Sequence, residues 1–179
     1  MLRLFVGIGF PAELKLRLSL LCSGISGAKW VDPGNFHLTL RFIGEITEDL
    51  AADVDDALAR LHARRFALEF AGTGVFGGSD RPRNLWVGVE HSAELVVLRD
   101  KIEYALIRAG LPPEPRKFTP HVTLARLHNP PIGQLGEFLA ASAGFRAEPL
   151  PVEAFSLIAS YQTRAGSVYE DQADYPLQH

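Results

Sequence analysis

The tripeptide pattern His-x-Thr occurs twice, as His37-Leu38-Thr39 and His121-Val122-Thr123. Each copy lies in a short run of β-forming residues. Side chains alternate across a strand, so residues two apart share a face. Each motif therefore sets an imidazole beside a hydroxyl, with apolar neighbours turned the other way. Two such strands can place two imidazoles on opposite sides of one small substrate. An unperturbed imidazole titrates near pH 6.5, so near neutral pH one ring can accept a proton while the other donates one. A single copy would more often be a hydrogen-bonded core or edge histidine. Two copies, nearly half a chain length apart, favour paired acid–base chemistry.

Other chemistries have less support. A metal site needs a third and usually a fourth ligand. Neither motif has a Cys, His or carboxylate at ligand spacing, and Glu45 is the acid nearest the first. No metal and no cofactor are expected. The glycine-rich stretch 72–79 lacks the Lys-Ser/Thr of a phosphate-cradling loop, so no ATP is expected either. The single cysteine, Cys22, lies in a helical pattern and reads as a buried, unreactive thiol. His62, His91, His128 and His179 sit at element ends or turns and receive no role.

The elements that must position the motifs follow from periodicity and turn residues. Leu2 to Ile8 reads as a strand, and Pro11 to Gly24 as a helix with a Leu14/Leu18/Leu21 stripe. The first motif strand runs to Gly44. Thr47 caps a helix to about Ala63, with apolar residues at helical spacing. Phe66, Leu68 and Phe70 alternate as a strand, and 72–83 reads as a loop. A strand at 84–90 is followed by a helix from Ser92 to Gly110, then the second motif strand at 118–126. A short helix with Leu135 and Phe138 precedes strands at 152–160 and 167–175. The order β-α-β-α-β, then β-α-β-α-β-β, uses one plan twice. The fold class expected is α+β. It has two pseudo-symmetric lobes, each an antiparallel sheet with helices on its outer face, and the active-site cleft lies between them. No linker divides 1–179, so one bilobal domain is expected.

Bulk composition limits the partners. At 47% hydrophobic and 22% charged, the 179-residue chain has ample material for a core. No apolar run reaches membrane-spanning length, and Met1 to Ile8 reads as a strand, not a leader. With one cysteine and no such segment, a reducing, cytoplasmic location and no membrane contact are expected; so is a monomer. The net charge of −3 argues against a broad nucleic-acid footprint but not against a local anion site.

The segments 35–45, Asn-Phe-His-Leu-Thr-Leu-Arg-Phe-Ile-Gly-Glu, and 116–126, Arg-Lys-Phe-Thr-Pro-His-Val-Thr-Leu-Ala-Arg, resemble the two signatures of the two-histidine phosphoesterases. The match is best to their RNA 2′,3′-cyclic phosphodiesterase (2′-5′ RNA ligase) branch. Trp30-Val31, Leu85 to Val89 and the ending Gly166…Tyr169…Pro176-Leu177 also have counterparts there. The resemblance implies metal-independent hydrolysis of RNA 2′,3′-cyclic phosphate ends to 2′-phosphomonoesters, with possible 2′-5′ ligation. It implies His37 as general acid and His121 as general base. Thr39 and Thr123 would bind phosphate, as would Arg126, whose bland alternative is a surface salt bridge. Phe42 and Phe118 are candidates for stacking on a base, or else core. Arg81, with Arg83, is a candidate RNA contact, or else a solvated loop face. The partner is an RNA terminus or a nucleotide 2′,3′-cyclic phosphate. Two alternatives stay open: a phosphodiesterase for another cyclic or 2′-5′-linked nucleotide, and a non-enzymatic RNA-end-binding protein.

Overall fold

The computed structural model describes residues 1–78 and 80–179. Its elements run β1 (Leu2–Gly9), α1 (Ala12–Ser19), β2 (Lys29–Trp30), β3 (His37–Ile46), α2 (Glu48–Ala59), β4 (Phe66–Leu68), β5 (Phe70–Phe76) and β6 (Asn84–Val89). They continue α3 (Ala93–Ala109), β7 (His121–Arg126), α4 (Ile132–Ser142), β8 (Leu150–Val152), β9 (Ala154–Thr163) and β10 (Gly166–Pro176). Two four-stranded antiparallel sheets carry the motifs, ordered β10-β9-β1-β3 and β2-β7-β6-β5, with β4-β8 as a small third sheet. This is the two-lobed α+β architecture expected.

The lobes are not the two halves of the chain. The C-terminal hairpin β9-β10 completes the sheet of the first motif, and β2, from the N-terminal half, completes the sheet of the second. The helices cross over as well: α3 follows β6 of the second sheet yet packs on β3 of the first. Such exchange joins both lobes through one core. Leu4, Val6, Leu38 and Leu40 of the first sheet belong to the same buried cluster as Leu85, Val87, Val122 and Leu124 of the second. Helix α3 contributes Leu95, Leu98, Ile102 and Leu106, the i, i+3, i+4 stripe that a helix facing a core requires. Each fully buried leucine of this kind contributes about 1.5–3 kcal/mol.

Helix boundaries follow their caps. The Thr47 hydroxyl accepts from the Leu50 amide at 3.2 Å and the Ser92 hydroxyl from Leu95 at 3.1 Å, each satisfying an amide that the first turn leaves unpaired. Gly110, at φ +115°, closes α3 in the left-handed conformation.

Three expectations are corrected. Helix α1 ends at Ser19, not near Gly24, and residues 20–28 are turns and irregular chain. Gly44 does not end the first motif strand. It sits at φ +86° where the pairing jumps from Leu4↔Gly44 to Phe5↔Phe42, so it is a bulge and β3 continues to Ile46. Finally, much of the expected 72–83 loop is strand β5. Its glycines hide the period, because Gly72 bulges at φ +68° and Gly74 offers no side chain. The remaining turn runs from Gly77 to Arg83, and Ser79 within it lies outside the described residues. No described helix is long and apolar enough to cross a membrane.

Candidate active site

Each motif opens its strand, and each strand carries a bulge just past the threonine. In β3 the register passes from Thr39↔Gly7 to Arg41↔Val6; in β7 it passes from Thr123↔Trp86 to Ala125↔Leu85. The extra residue turns Leu40 and Arg41 inward together, and likewise Leu124 and Ala125, all of them buried. The bulge then returns Phe42 and Arg126 to the face that carries the imidazole and hydroxyl. Phe42 and Arg126 are therefore structural counterparts, both exposed. Strands β3 and β7 lie against each other, so the two motif faces border one cleft.

The imidazoles are fixed in the same way. His37 donates from Nδ1 to the Asn35 carbonyl at 2.7 Å, and His121 donates from Nδ1 to the Thr119 carbonyl at 2.7 Å. With Nδ1 carrying the proton, each neutral ring keeps a lone pair on Nε2. The surroundings then differ. His37 Nε2 accepts from the Thr39 hydroxyl at 2.7 Å, and its ring packs against Phe5 (4.7 Å between centroids) and edge-on to Tyr169 (5.2 Å). His121 Nε2 and the Thr123 hydroxyl have no hydrogen-bond partner among the described residues, and one aromatic, Phe76, meets the His121 ring edge-on at 4.8 Å. Burial pulls the His37 pKa below its usual value. Repulsion from His121 and Lys15 adds to this, against the opposing pull of the Asn35 carbonyl.

A glycine pairs opposite each motif, and the first of them makes room for its motif. A Cβ on Gly7, which pairs with Thr39, would come within 2.9 Å of the Leu38 carbonyl oxygen and 3.5 Å of the His37 ring. A Cβ on Gly88, which pairs with His121, would lie 2.6 Å from the Ala71 carbonyl oxygen. Gly74 lies under the Trp86 indole, which touches Phe76 in turn at 5.3 Å between centroids. The sequence reading missed Phe5, Tyr169, Phe76 and Trp86. For Trp86 and its neighbour Phe76 the available signal was glycine inside the adjoining strands, Gly74 and Gly88, since such a glycine marks a close approach.

A buried ion pair ties the two motif strands together. Arg41, 7% exposed, donates from Nε to Glu103 Oε2 at 2.9 Å, from Nη1 to the Phe42 carbonyl at 2.6 Å, and from Nη2 to the Pro112 carbonyl. Glu103 also accepts from the Glu114 amide at 3.1 Å. Strand β3 is thereby pinned to the 112–118 segment that leads into the second motif. Burial raises the Glu103 pKa, but the Arg41 and Glu114 hydrogen bonds outweigh it and hold the carboxyl below its ordinary range.

The remaining candidates separate. Phe42 stands 55% exposed at the cleft rim, 6.1 Å from Phe5 between centroids. Phe118 packs against the core beneath the Arg99 guanidinium, 5.5 Å from its ring centroid, so its face is already covered. Arg81 is exposed on the β5–β6 turn, and Arg126 ends β7 with no salt bridge among the described residues. No group of three His, Cys, Asp or Glu side chains among the described residues is placed to hold a metal ion. A concavity of about 910 Å³ lies between α2 and α3, lined by Asp53, Arg60, Tyr104 and Arg108. It contains neither motif.

Comparison with known proteins agrees with this geometry. The family model for LigT-like phosphoesterases matches twice, over residues 8–86 and 87–169, one motif in each match. The chain is 39% identical over 158 residues to the RNA 2′,3′-cyclic phosphodiesterase of Aeropyrum pernix, covering 87% of this chain and 89% of that protein. It is 34% identical to the enzyme of that name from Aquifex aeolicus, over 79% and 77% of the two chains. Among solved structures, E. coli LigT complexed with 3′-AMP superposes with a TM-score of 0.81 at 25% identity, covering 99% of both chains. TT0787 of Thermus thermophilus superposes with a TM-score of 0.77 at 26% identity, covering 97% of both. The chain belongs to the LigT-like phosphoesterase family.

Proposed function

We propose that the chain is an RNA 2′,3′-cyclic phosphodiesterase that opens the cyclic phosphate at an RNA end to a 2′-phosphomonoester without a metal. The observation that carries this is the pair of imidazole–hydroxyl units on facing strands, each imidazole fixed through Nδ1 so that Nε2 is the reactive nitrogen. His121 Nε2 takes a proton from water as the water oxygen attacks phosphorus. The P–O3′ bond breaks, and His37 delivers its Nε2 proton to O3′. The products are a 2′-phosphate and a free 3′-hydroxyl. Once His37 is protonated, its Nε2 no longer accepts, and the Thr39 hydroxyl turns to a non-bridging phosphate oxygen. Thr123 serves the opposite oxygen, and Arg126 offsets phosphate charge from the strand end. An RNA 5′-hydroxyl in place of water would give a 2′-5′ linkage by the same step.

Phe42 is the rim aromatic available for base stacking, and Arg81 a cation on the adjacent turn; Phe118 contributes packing. The chain acts as one bilobal unit, 1–179, because the C-terminal hairpin completes the first motif's sheet. A monomer in the cytoplasm belongs to the same reading. Burial pushes the Cys22 thiol up to about 11, which suits an unreactive cysteine.

A second reading exchanges the two histidines. The lowered pKa of His37 favours it, because a ring held neutral is a better base than acid.

The test is hydrolysis in EDTA of three substrates: RNA ending in a 2′,3′-cyclic phosphate, a mononucleotide 2′,3′-cyclic phosphate and a 2′-5′-linked dinucleotide. Phosphorus NMR identifies the products. Conversion of the first to a 2′-phosphate is expected. Cleavage of the 2′-5′ dinucleotide alone would shift the substrate, and binding without turnover of any would make the protein an RNA-end binder.

A further inference from the structure

Strand β2 is a two-residue edge, yet it places a cation beside the site. Lys29 pairs directly with Arg126, and Arg126 pairs on its other side with Asn84, so the three form one row across β2, β7 and β6. Paired residues share a face, and Arg126 lies on the face of His121 and Thr123. The next residue, Trp30, turns the opposite way, onto Phe138 of α4 at 5.9 Å between centroids. Lys29 and Arg126 are both exposed, and neither makes a salt bridge or side-chain hydrogen bond among the described residues. Like charges directly opposite in an antiparallel pair are destabilising. The ion pairs formed elsewhere, such as Arg116–Glu114 and Arg146–Glu90, do not relieve this one. In a chain of net charge −3, two adjacent uncompensated cations at the edge of a phosphate site call for an anion.

We propose that Lys29, with Arg126, forms a second anion subsite. It takes the phosphodiester one nucleotide to the 5′ side of the cyclic end, so that an oligonucleotide binds better than a mononucleotide. This rests on the phosphodiesterase reading above. The spacing suits it: Arg126 lies about 7 Å along the strand face from Thr123, and Lys29 about 5 Å further across, a distance one nucleotide step can span. The opposite rim repels such a strand. Asp171 and Asp174 of β10 share the sheet face of His37, because they align through Ile158 and Ser156 with Phe5 and Gly7 of β1. An RNA chain leaving over β2 meets cations; leaving over β10, it meets carboxylates.

Calorimetry of two product-like ligands tests this without turnover: a dinucleotide ending in a 2′-phosphate, and the matching mononucleotide 2′-phosphate. The wild type should prefer the dinucleotide. Lys29→Met should weaken dinucleotide binding about fivefold to tenfold and mononucleotide binding less than twofold, and Lys29→Arg should restore most of the loss. The salt slope of dinucleotide binding should fall by about 0.7 in Lys29→Met. No preference for the dinucleotide in the wild type, or equal effects of Lys29→Met on both ligands, overturns the subsite. Failure of the phosphodiesterase reading would instead show as absence of hydrolysis with this binding pattern intact.

Discussion

The two motif regions share a backbone plan and differ in what surrounds it. In both, a carbonyl two residues upstream fixes Nδ1, a bulge follows the threonine, and a glycine sits opposite. His37, however, is enclosed by Phe5 and Tyr169 with its Nε2 engaged by Thr39, whereas among the described residues His121 meets only the Phe76 ring and its Nε2 has no partner. Beyond the bulge the first strand carries Arg41-Phe42 and the second Ala125-Arg126. The same tripeptide thus serves two environments. Environments that push two similar groups apart are how one site acquires an acid and a base at one pH.

The largest effects should come from the imidazoles. Alanine at His37 or at His121 should lower kcat by about 10²–10⁴, and unchanged turnover in either variant would remove that ring from the chemistry. Valine at either threonine should cost about 10²-fold in kcat with little change in KM. The two variants should nonetheless differ: Thr39→Val also deprives His37 Nε2 of its donor and should shift the pH profile, while Thr123→Val should not. The Arg41–Glu103 pair belongs to the first strand only. Glu103→Gln should cost about 1.5–3 kcal/mol in urea unfolding, and a neutral result would mean that the pair is not holding β3 to the 112–118 segment.

The smallest effect concerns the titration of His37. Its folded pKa is lowered by burial, so NMR should place its midpoint below 6.5 in the free protein, and added phosphate should raise it. The sign for stability follows. A ring kept neutral in the fold contributes fully above the unfolded value of about 6.5, and that contribution is lost as pH falls through the folded pKa. Wild-type stability should therefore drop more steeply below pH 6.5 than that of His37→Phe.

Much of this was legible because strand alternation is local. The same-face placement of His37 with Thr39 and of His121 with Thr123 needs only a period of two. The caps Thr47 and Ser92 and the stop at Gly110 were likewise visible, since capping depends on one or two side chains. What stayed hidden was tertiary. Phe5 and Tyr169 reach His37 from strands at opposite ends of the chain, and no local pattern marks them. Gly44 and Gly72 looked like endings because a bulge glycine and a turn glycine have the same left-handed φ, and only the partner strand tells them apart. Lys29 was overlooked because a two-residue edge strand has no period to detect.

The pH dependence of kcat/KM for the wild type, His37→Ala and His121→Ala, on one cyclic-phosphate-ended RNA in EDTA, tests the paired acid–base role most directly. A bell-shaped wild-type profile is expected, with each variant losing one limb and keeping the other. Two variants that lose the same limb, or a variant that retains the full bell at wild-type rate, would contradict it.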